Sequence, residues 1–175
     1  NVSIVWGGTH ALLFPKQILE NKDIDFVIQR EGELTLYNLV KVLEAKKKTF
    51  TKIKGLVFCD KKGDVVFNKP EVFWKGFEKF IPDWGLVEDF VKKNLDLFYS
   101  AKDHRYVEVH TGRGCPYNCT YCINPFFYGK ARLQRSLDTV IEEIKFLLKK
   151  FSPTMVKMRD ENFFLDKSYV EKFCK

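Results

Sequence analysis

At both ends of the chain, short apolar runs of strand type alternate with runs of helical period. This alternation constrains the possible fold more than any other feature. Residues 2–6 (VSIVW) read as a buried strand, followed by a tight turn at Gly7-Gly8-Thr9-His10 and a short helix over 15–21. Pro15 opens that helix at a position where its missing N–H costs nothing. A second strand is expected at 24–28 (IDFVI), then a loop over 29–33. A longer helix follows, with Leu36, Leu39, Val40 and Leu43 on one face. Strand, helix, strand, helix implies parallel βαβ units and a doubly wound sheet. From residue 105 the texture returns. RYVEVH alternates with Val107 and Val109 on one face, and a loop precedes an amphipathic helix with Ser136 as N-cap. Its expected apolar stripe is Leu137, Val140, Ile141, Ile144, Leu147, Leu148 and Phe151. TMVKMRD is then a strand, and Asp166 caps a last helix.

Residues 49–104 differ. Two β-rich runs around CDKKGD read as a hairpin. Cys59, within it, is expected to be a small buried residue. A proline-marked break and an amphipathic helix over 80–98 complete a connector that carries no catalytic constellation. No apolar run approaches the roughly 20 residues that span a bilayer. The net charge of +7 invites a nucleic-acid reading, but 24 lysines against 6 arginines, scattered in short runs, fit a solvated surface better. Five cysteines with no secretory signal argue against a disulfide framework and for a reducing, cytoplasmic setting.

Three of those cysteines fall within TGRGCPYNCTYCIN: Cys115, Cys119 and Cys122. Structural zinc wants four closed ligands, and no obvious fourth lies nearby, with Cys174 far along the chain and His110 in the preceding strand. A cubane iron–sulfur cluster takes one thiolate per iron, so three thiolates leave one iron open to a substrate or cofactor. A three-cysteine zinc site and an electron-transfer cluster are the alternatives.

The C-x3-C-x2-C spacing, the aromatic Tyr121 before the last cysteine, and the flanking RSLDTVIEEI and VKMRDENFF resemble the radical S-adenosylmethionine (SAM) superfamily. In that family the loop follows the first strand of a partial TIM-like barrel, where barrel active sites lie. The resemblance implies a [4Fe-4S] cluster on Cys115, Cys119 and Cys122, with SAM chelating the open iron. Reductive cleavage of SAM then yields a 5′-deoxyadenosyl radical that abstracts hydrogen from substrate. It also implies that the backbone at Tyr121 meets the adenine and that Asp160 and Glu161 contact SAM. For the acidic pair a plain surface turn is the competing reading.

The first 48 residues resemble the later half of the cobalamin-binding domain that precedes many radical SAM domains. There a strand ends in a Gly-Gly turn, and a GEGE-like loop follows the next strand. Here the turn is intact, while the loop reads Arg30-Glu31-Gly32-Glu33 and lacks the first glycine. Glycines at strand ends let backbone approach a bulky ligand, and doubly wound sheets bind ligands at the carboxyl ends of their strands. The resemblance thus implies cobalamin contacts at Gly7, Gly8, Thr9, His10, Glu31, Gly32 and Glu33. The resemblance implies that His10 lines the pocket and is not the cobalt ligand, because in that family the lower-ligand histidine sits in an upstream Asp-x-His motif, which this chain lacks; a plain turn histidine is the competing reading.

The expected architecture is α/β. Residues 1–48 are the C-terminal part of a doubly wound, flavodoxin-like cobalamin-binding domain. Residues 49–104 are a linker with hairpin and helix, and residues 105–175 are the first β/α units of a radical SAM barrel. The whole resembles a central slice of a longer enzyme. The implied activity is cobalamin-dependent methyl transfer to an unactivated carbon of a small-molecule, lipid, tetrapyrrole or peptide substrate, with a flavodoxin or ferredoxin as electron donor. Some members of the family use cobalamin for cyclisation or rearrangement instead. A methylthiotransferase-like enzyme acting on tRNA or protein is the enzymatic alternative. It predicts cysteines for a second cluster, and residues 1–48 contain none. A zinc-stabilised binding module is the non-enzymatic one.

Overall fold

The computed structural model describes residues 2–45, 49–70, 76–94 and 105–175. The lysine run at 46–48 and the end of the expected connector helix, from residue 95, lie outside the described residues. The chain divides into two units, Asn1–Trp74 with Asn118–Gly129, and Lys75–Tyr117 with Lys130–Lys175.

In the first unit β1 (Val5–Trp6) runs parallel to β2 (Phe26–Ile28), with Val5 opposite Phe26. Helices α1 (Thr9–Leu13) and α2 (Pro15–Leu19) connect them. Helix α3 (Glu33–Glu44) follows, and then strands β3 (Leu56–Cys59), antiparallel to β2, and β4 (Val65–Phe67), antiparallel to β3. The sheet order is therefore β1-β2-β3-β4 and the sheet is mixed. The expected hairpin forms, and its Asp60 carboxylate accepts the amides of Lys62 and Asp64 at 2.8 and 2.9 Å to hold the turn. It is an integral part of the first sheet: Val57 sits opposite Val27.

The strand period of two sends alternate residues to opposite faces, and both faces are covered. Val27 and Val57 pack with Ala11, Ile18, Leu19 and Ile24. Phe26, Ile28, Leu56 and Phe58 pack with Leu39 and Ile53. Phe50 stands edge-on to Phe26 and Phe58, with ring centroids 5.0 and 5.6 Å away.

Three expectations are corrected here. The first strand is not buried but lies at the sheet edge, and Val2 and Ile4 are exposed. Helix α3 keeps part of its expected face: Leu39 is buried and Leu43 packs on the core, whereas Leu36 and Val40 face solvent and Thr35 is buried. The Thr35 hydroxyl donates to the Lys54 carbonyl at 2.8 Å. Cys59 is exposed because it ends β3, beyond the covered part of the sheet.

In the second unit helix α4 (Glu88–Asn94) precedes β5 (Tyr106–Val109) and the short β6 (Gly112–Arg113). After the cysteine loop and α5 (Asn124–Tyr128) come β7 (Leu133–Gln134), α6 (Leu137–Phe151), β8 (Met155–Met158) and α7 (Lys167–Phe173). β5 and β8 are parallel, with Val107 opposite Val156 and Val109 opposite Met158. Val107 and Val109 meet Val140, Leu147 and Phe151 of α6, and Trp84, Val91, Ile144 and Phe173 close the cluster. The stripe of α6 is narrower than its apolar residues suggested, since Leu148 is exposed. The Ser136 hydroxyl accepts the Thr139 amide at 3.2 Å and the Asp166 carboxylate accepts the Tyr169 amide at 3.0 Å, so both expected caps form. β6 and β7 make a small antiparallel ribbon that the sequence did not suggest. Among the described residues no helix is long and apolar enough to cross a membrane.

Candidate functional site: a cysteine loop and a glycine-lined sheet edge

The start of the cysteine loop is held at the end of β5 by two carboxylates from the end of β8. Asp160 Oδ1 accepts the amides of Thr111 (2.8 Å) and Gly112 (2.7 Å), and its Oδ2 accepts the Thr111 hydroxyl. Glu161 Oε2 accepts the Gly114 amide at 3.2 Å. Parallel pairing of β5 with β8 makes this possible, because it brings their carboxyl ends side by side. Asp160 and Glu161 are thus not an idle surface turn. Asp160 spends three hydrogen bonds on the loop, while Glu161 remains exposed with Oε1 on no loop amide.

Two glycines in the loop answer to steric need. A Cβ at Gly112 would meet the Leu133 carbonyl at 2.7 Å, so only glycine lets β6 pair with β7. Gly114 has φ +86, the left-handed turn that leads the chain into Cys115. Gln134 donates to the Thr111 carbonyl at 2.7 Å, and Arg132 Nη2 donates to Gln134 at 2.7 Å. Tyr169 lies beneath this network with its hydroxyl buried and lacking a well-formed hydrogen bond. Burial, with the Asp160 charge adding to it, pushes the phenol above its ordinary value.

Below the loop, Arg135 and Glu143 form an ion pair at 2.6 Å with side chains 3% and 2% exposed. Arg135 also donates to the His110 carbonyl at 2.7 Å, and Trp84 Nε1 donates to Glu143 at 2.8 Å. This pair escaped notice in the sequence, although the signal was there. Glu143 falls at helical spacing between Val140 and Leu147, on the buried face of α6, where a carboxylate needs a buried cation.

Cys115 is half-buried and belongs to the second unit, whereas Cys119 and Cys122 belong to the first. Cys119 and Cys122 bracket one turn, closed by the Cys122 amide on the Cys119 carbonyl at 3.1 Å. The Asn124 amide donates to Cys122 Sγ at 3.4 Å at the entry to α5. Tyr121 is 91% exposed. All three thiols are free, and among the described residues no group of three or more His, Cys, Asp or Glu side chains stands close enough to hold a metal ion.

The residues singled out in the N-terminal part lie at the carboxyl ends of β1 and β2. Only Gly7 and Gly8 form the turn, since Thr9 and His10 already belong to α1. A Cβ at Gly8 would meet nothing within 4 Å, so the space over the turn is open. Beside it Trp6, His10 and Phe14 form an exposed aromatic ladder with centroid spacings of 6.2 and 5.3 Å. Glu31 and Gly32 lead into α3, which begins at Glu33. Arg30, between β2 and α3, adopts a left-handed φ of +62 and donates from Nη1 to the Phe127 carbonyl in α5.

No protein-family model matches the chain. Curated relatives do. An anaerobic magnesium-protoporphyrin IX monomethyl ester cyclase of Cereibacter sphaeroides is 31% identical over 178 residues, covering 99% of this chain and 28% of that protein. An uncharacterized methyltransferase of Pyrococcus horikoshii is 31% identical over 169 residues, covering 95% of this chain and 35% of that protein. The chain therefore spans about a third, or less, of the length of these relatives. In fold it matches the radical SAM methyltransferase TsrM from Kitasatospora setae, solved with cobalamin and a [4Fe-4S] cluster, at a TM-score of 0.69 and 19% identity, over 99% of this chain and 33% of that one. The chain is thus similar along nearly its whole length to these relatives, and it shares its fold with a radical SAM methyltransferase that was solved with cobalamin and a [4Fe-4S] cluster.

Proposed function

We propose that this chain carries the cluster-binding loop and part of the cobalamin surface of an enzyme that methylates an unactivated carbon. The observation that carries the reading is the stapling of the cysteine loop to the end of β5 by Asp160 and Glu161. A loop that spends two carboxylates on its own backbone is preorganised for a task beyond connecting strands.

The residues fit the cofactors. Three thiols with a fourth position open are the donor set of a [4Fe-4S] cluster with one accessible iron. The amide donated to Cys122 Sγ is the kind of contact that tunes such a cluster. When bound, the cluster and SAM supply a 5′-deoxyadenosyl radical, with the protein left to orient and shield. Cys115, Cys119 and Cys122 hold the cluster. Tyr121 offers its backbone to the adenine, and Glu161 reaches SAM with the oxygen that the loop leaves over. Asp160 contributes by fixing Thr111 and Gly112. The open turn at Gly7-Gly8, with Thr9, His10 and the exposed Trp6 and Phe14 beside it, fits a broad, flat ligand such as the corrin ring of cobalamin. Glu31, Gly32 and Glu33 line the neighbouring strand end.

We assign domains at 1–48, 49–104 and 105–175 for cobalamin binding, connection and radical chemistry, with the hairpin of the connector lending its strands to the first sheet. The further assignments are a partial TIM-like barrel, a flavodoxin or ferredoxin as electron donor, and a cytoplasmic setting. Likeness to a magnesium-protoporphyrin cyclase favours a second outcome, ring closure on a tetrapyrrole, by the same radical step.

The test is anaerobic reconstitution of the full-length protein, followed by EPR of the reduced state with and without SAM. A cubane signal that shifts on adding SAM and is lost in Cys115→Ala, Cys119→Ala or Cys122→Ala is the expected result. Stoichiometric zinc and no cluster would overturn the reading. Methyl-deuterated SAM then separates the two outcomes, since only methyl transfer carries the label into product.

A further inference from the structure

Arg30 occupies a backbone position that side chains avoid. Its φ of +62 brings Cβ against the following carbonyl, a conformation that glycine adopts freely and arginine does not. The only other described non-glycine residue with positive φ is Ser152, at the end of α6, where a left-handed residue is the usual way to stop a helix. No such stop exists at Arg30, which lies between β2 and α3 with its neighbour Gly32 available to take the turn.

The side chain gives the reason. Arg30 Nη1 donates to the carbonyl of Phe127, 97 residues along the chain and inside the same unit. Phe127 lies in the last turn of α5, a five-residue helix whose final carbonyls have no partner within it. A cation at a helix C-terminus is favoured both by the orphan carbonyl and by the local dipole. α5 starts two residues after Cys122, and the Asn124 amide that bonds Cys122 Sγ is its first. Arg30 is thus one rigid short helix away from two of the three thiols.

We propose that Arg30 is a positioning residue, clamping the segment that carries Cys119 and Cys122 to the carboxyl end of β2. The inference rests on the reading of those cysteines as cluster ligands. The side chain that distorts the β2–α3 loop is the one that orders the ligand loop, so substitution by glycine relaxes the first and loosens the second.

The test uses the full-length protein and two readouts. Hydrogen exchange of the cluster-free protein over 118–129 is expected to rise roughly two- to tenfold in Arg30→Gly, the range for loss of one such hydrogen bond. Arg30→Lys, which keeps a cation within reach, is expected to recover part of the protection. In the reconstituted protein, loss of iron to a chelator is expected to accelerate in Arg30→Gly and to be slowed again in Arg30→Lys. Unchanged exchange over 118–129 would overturn the clamp itself. Raised exchange with an unchanged rate of iron loss would overturn its role in positioning the cysteines. If the wild-type protein assembles no cluster, the reading of the cysteines fails and takes the positioning role with it, while the exchange result still reports whether Arg30 holds the segment.

Discussion

The two strand-end loops at the heart of this chain are built on opposite plans. The Gly7-Gly8 turn at the end of β1 is held by almost nothing of its own: α1 has no side-chain cap, and open space lies over Gly8. The loop at the end of β5 is held at its start, over Thr111–Gly114, by side chains. Asp160, Glu161 and Gln134 occupy its backbone groups, and the buried Arg135–Glu143 pair lies below it. A broad ligand can use an open, apolar edge whose shape comes from the sheet behind it. A small ligand set must be presented at fixed positions, which takes hydrogen bonds that a ligand-free loop would otherwise lack. Both plans use glycines, and only the second adds carboxylates and a buried ion pair.

That contrast predicts that damage spreads differently from each loop. The largest effect is expected in Glu143→Ala, which strands the Arg135 cation at 3% exposure and removes the partner of Trp84. Leaving one partner of a buried pair costs about 3–5 kcal/mol, measurable as a lowered urea midpoint. The paired replacement Arg135→Met with Glu143→Leu should recover most of that loss. Asp160→Ala comes next, at about 2–3 kcal/mol for three hydrogen bonds that meet one carboxylate, with faster amide exchange confined to residues 111–114. A global loss of protection instead would mean that Asp160 supports the whole unit rather than the loop.

Gly8→Ala is expected to cost about 1–3 kcal/mol, because its φ of +93 and ψ of −167 fall in a region essentially reserved for glycine, with no change of exchange in the second unit, since space for the methyl is available. The smallest effect is one of pH. Burial raises the Tyr169 phenol above its ordinary value of 10.0, so the folded state keeps that proton longer than the unfolded chain. Its contribution is fully present below pH 10.0 and is lost as the pH rises through the folded value. Stability profiles of wild type and Tyr169→Phe should therefore run parallel below that pH and diverge above it, the variant declining less. Parallel profiles on both sides would show that the phenol is solvated.

Much of this was legible in the residues themselves. Alternating Val107 and Val109, the caps Ser136 and Asp166, the hairpin around Asp60 and the spacing of Cys115, Cys119 and Cys122 all act over a few positions, where local sterics and hydrogen bonding decide the outcome. What sequence could not decide is how elements meet. β2 could have been flanked by parallel strands alone, but the connector hairpin closes on it because Val57 and Val27 share a face and bury together. The amphipathic pattern of α3 could not tell Leu36 and Val40, which face solvent, from Leu39 and Leu43, which meet a core built from strands on either side of α3 in the chain. Asp160 reads identically in sequence whether it meets solvent, a ligand or a loop. Only the parallel register of β5 and β8 sets it beside the Thr111 and Gly112 amides. Local chemistry chose the parts, and the pairing of distant strands, driven by burial, chose their partners.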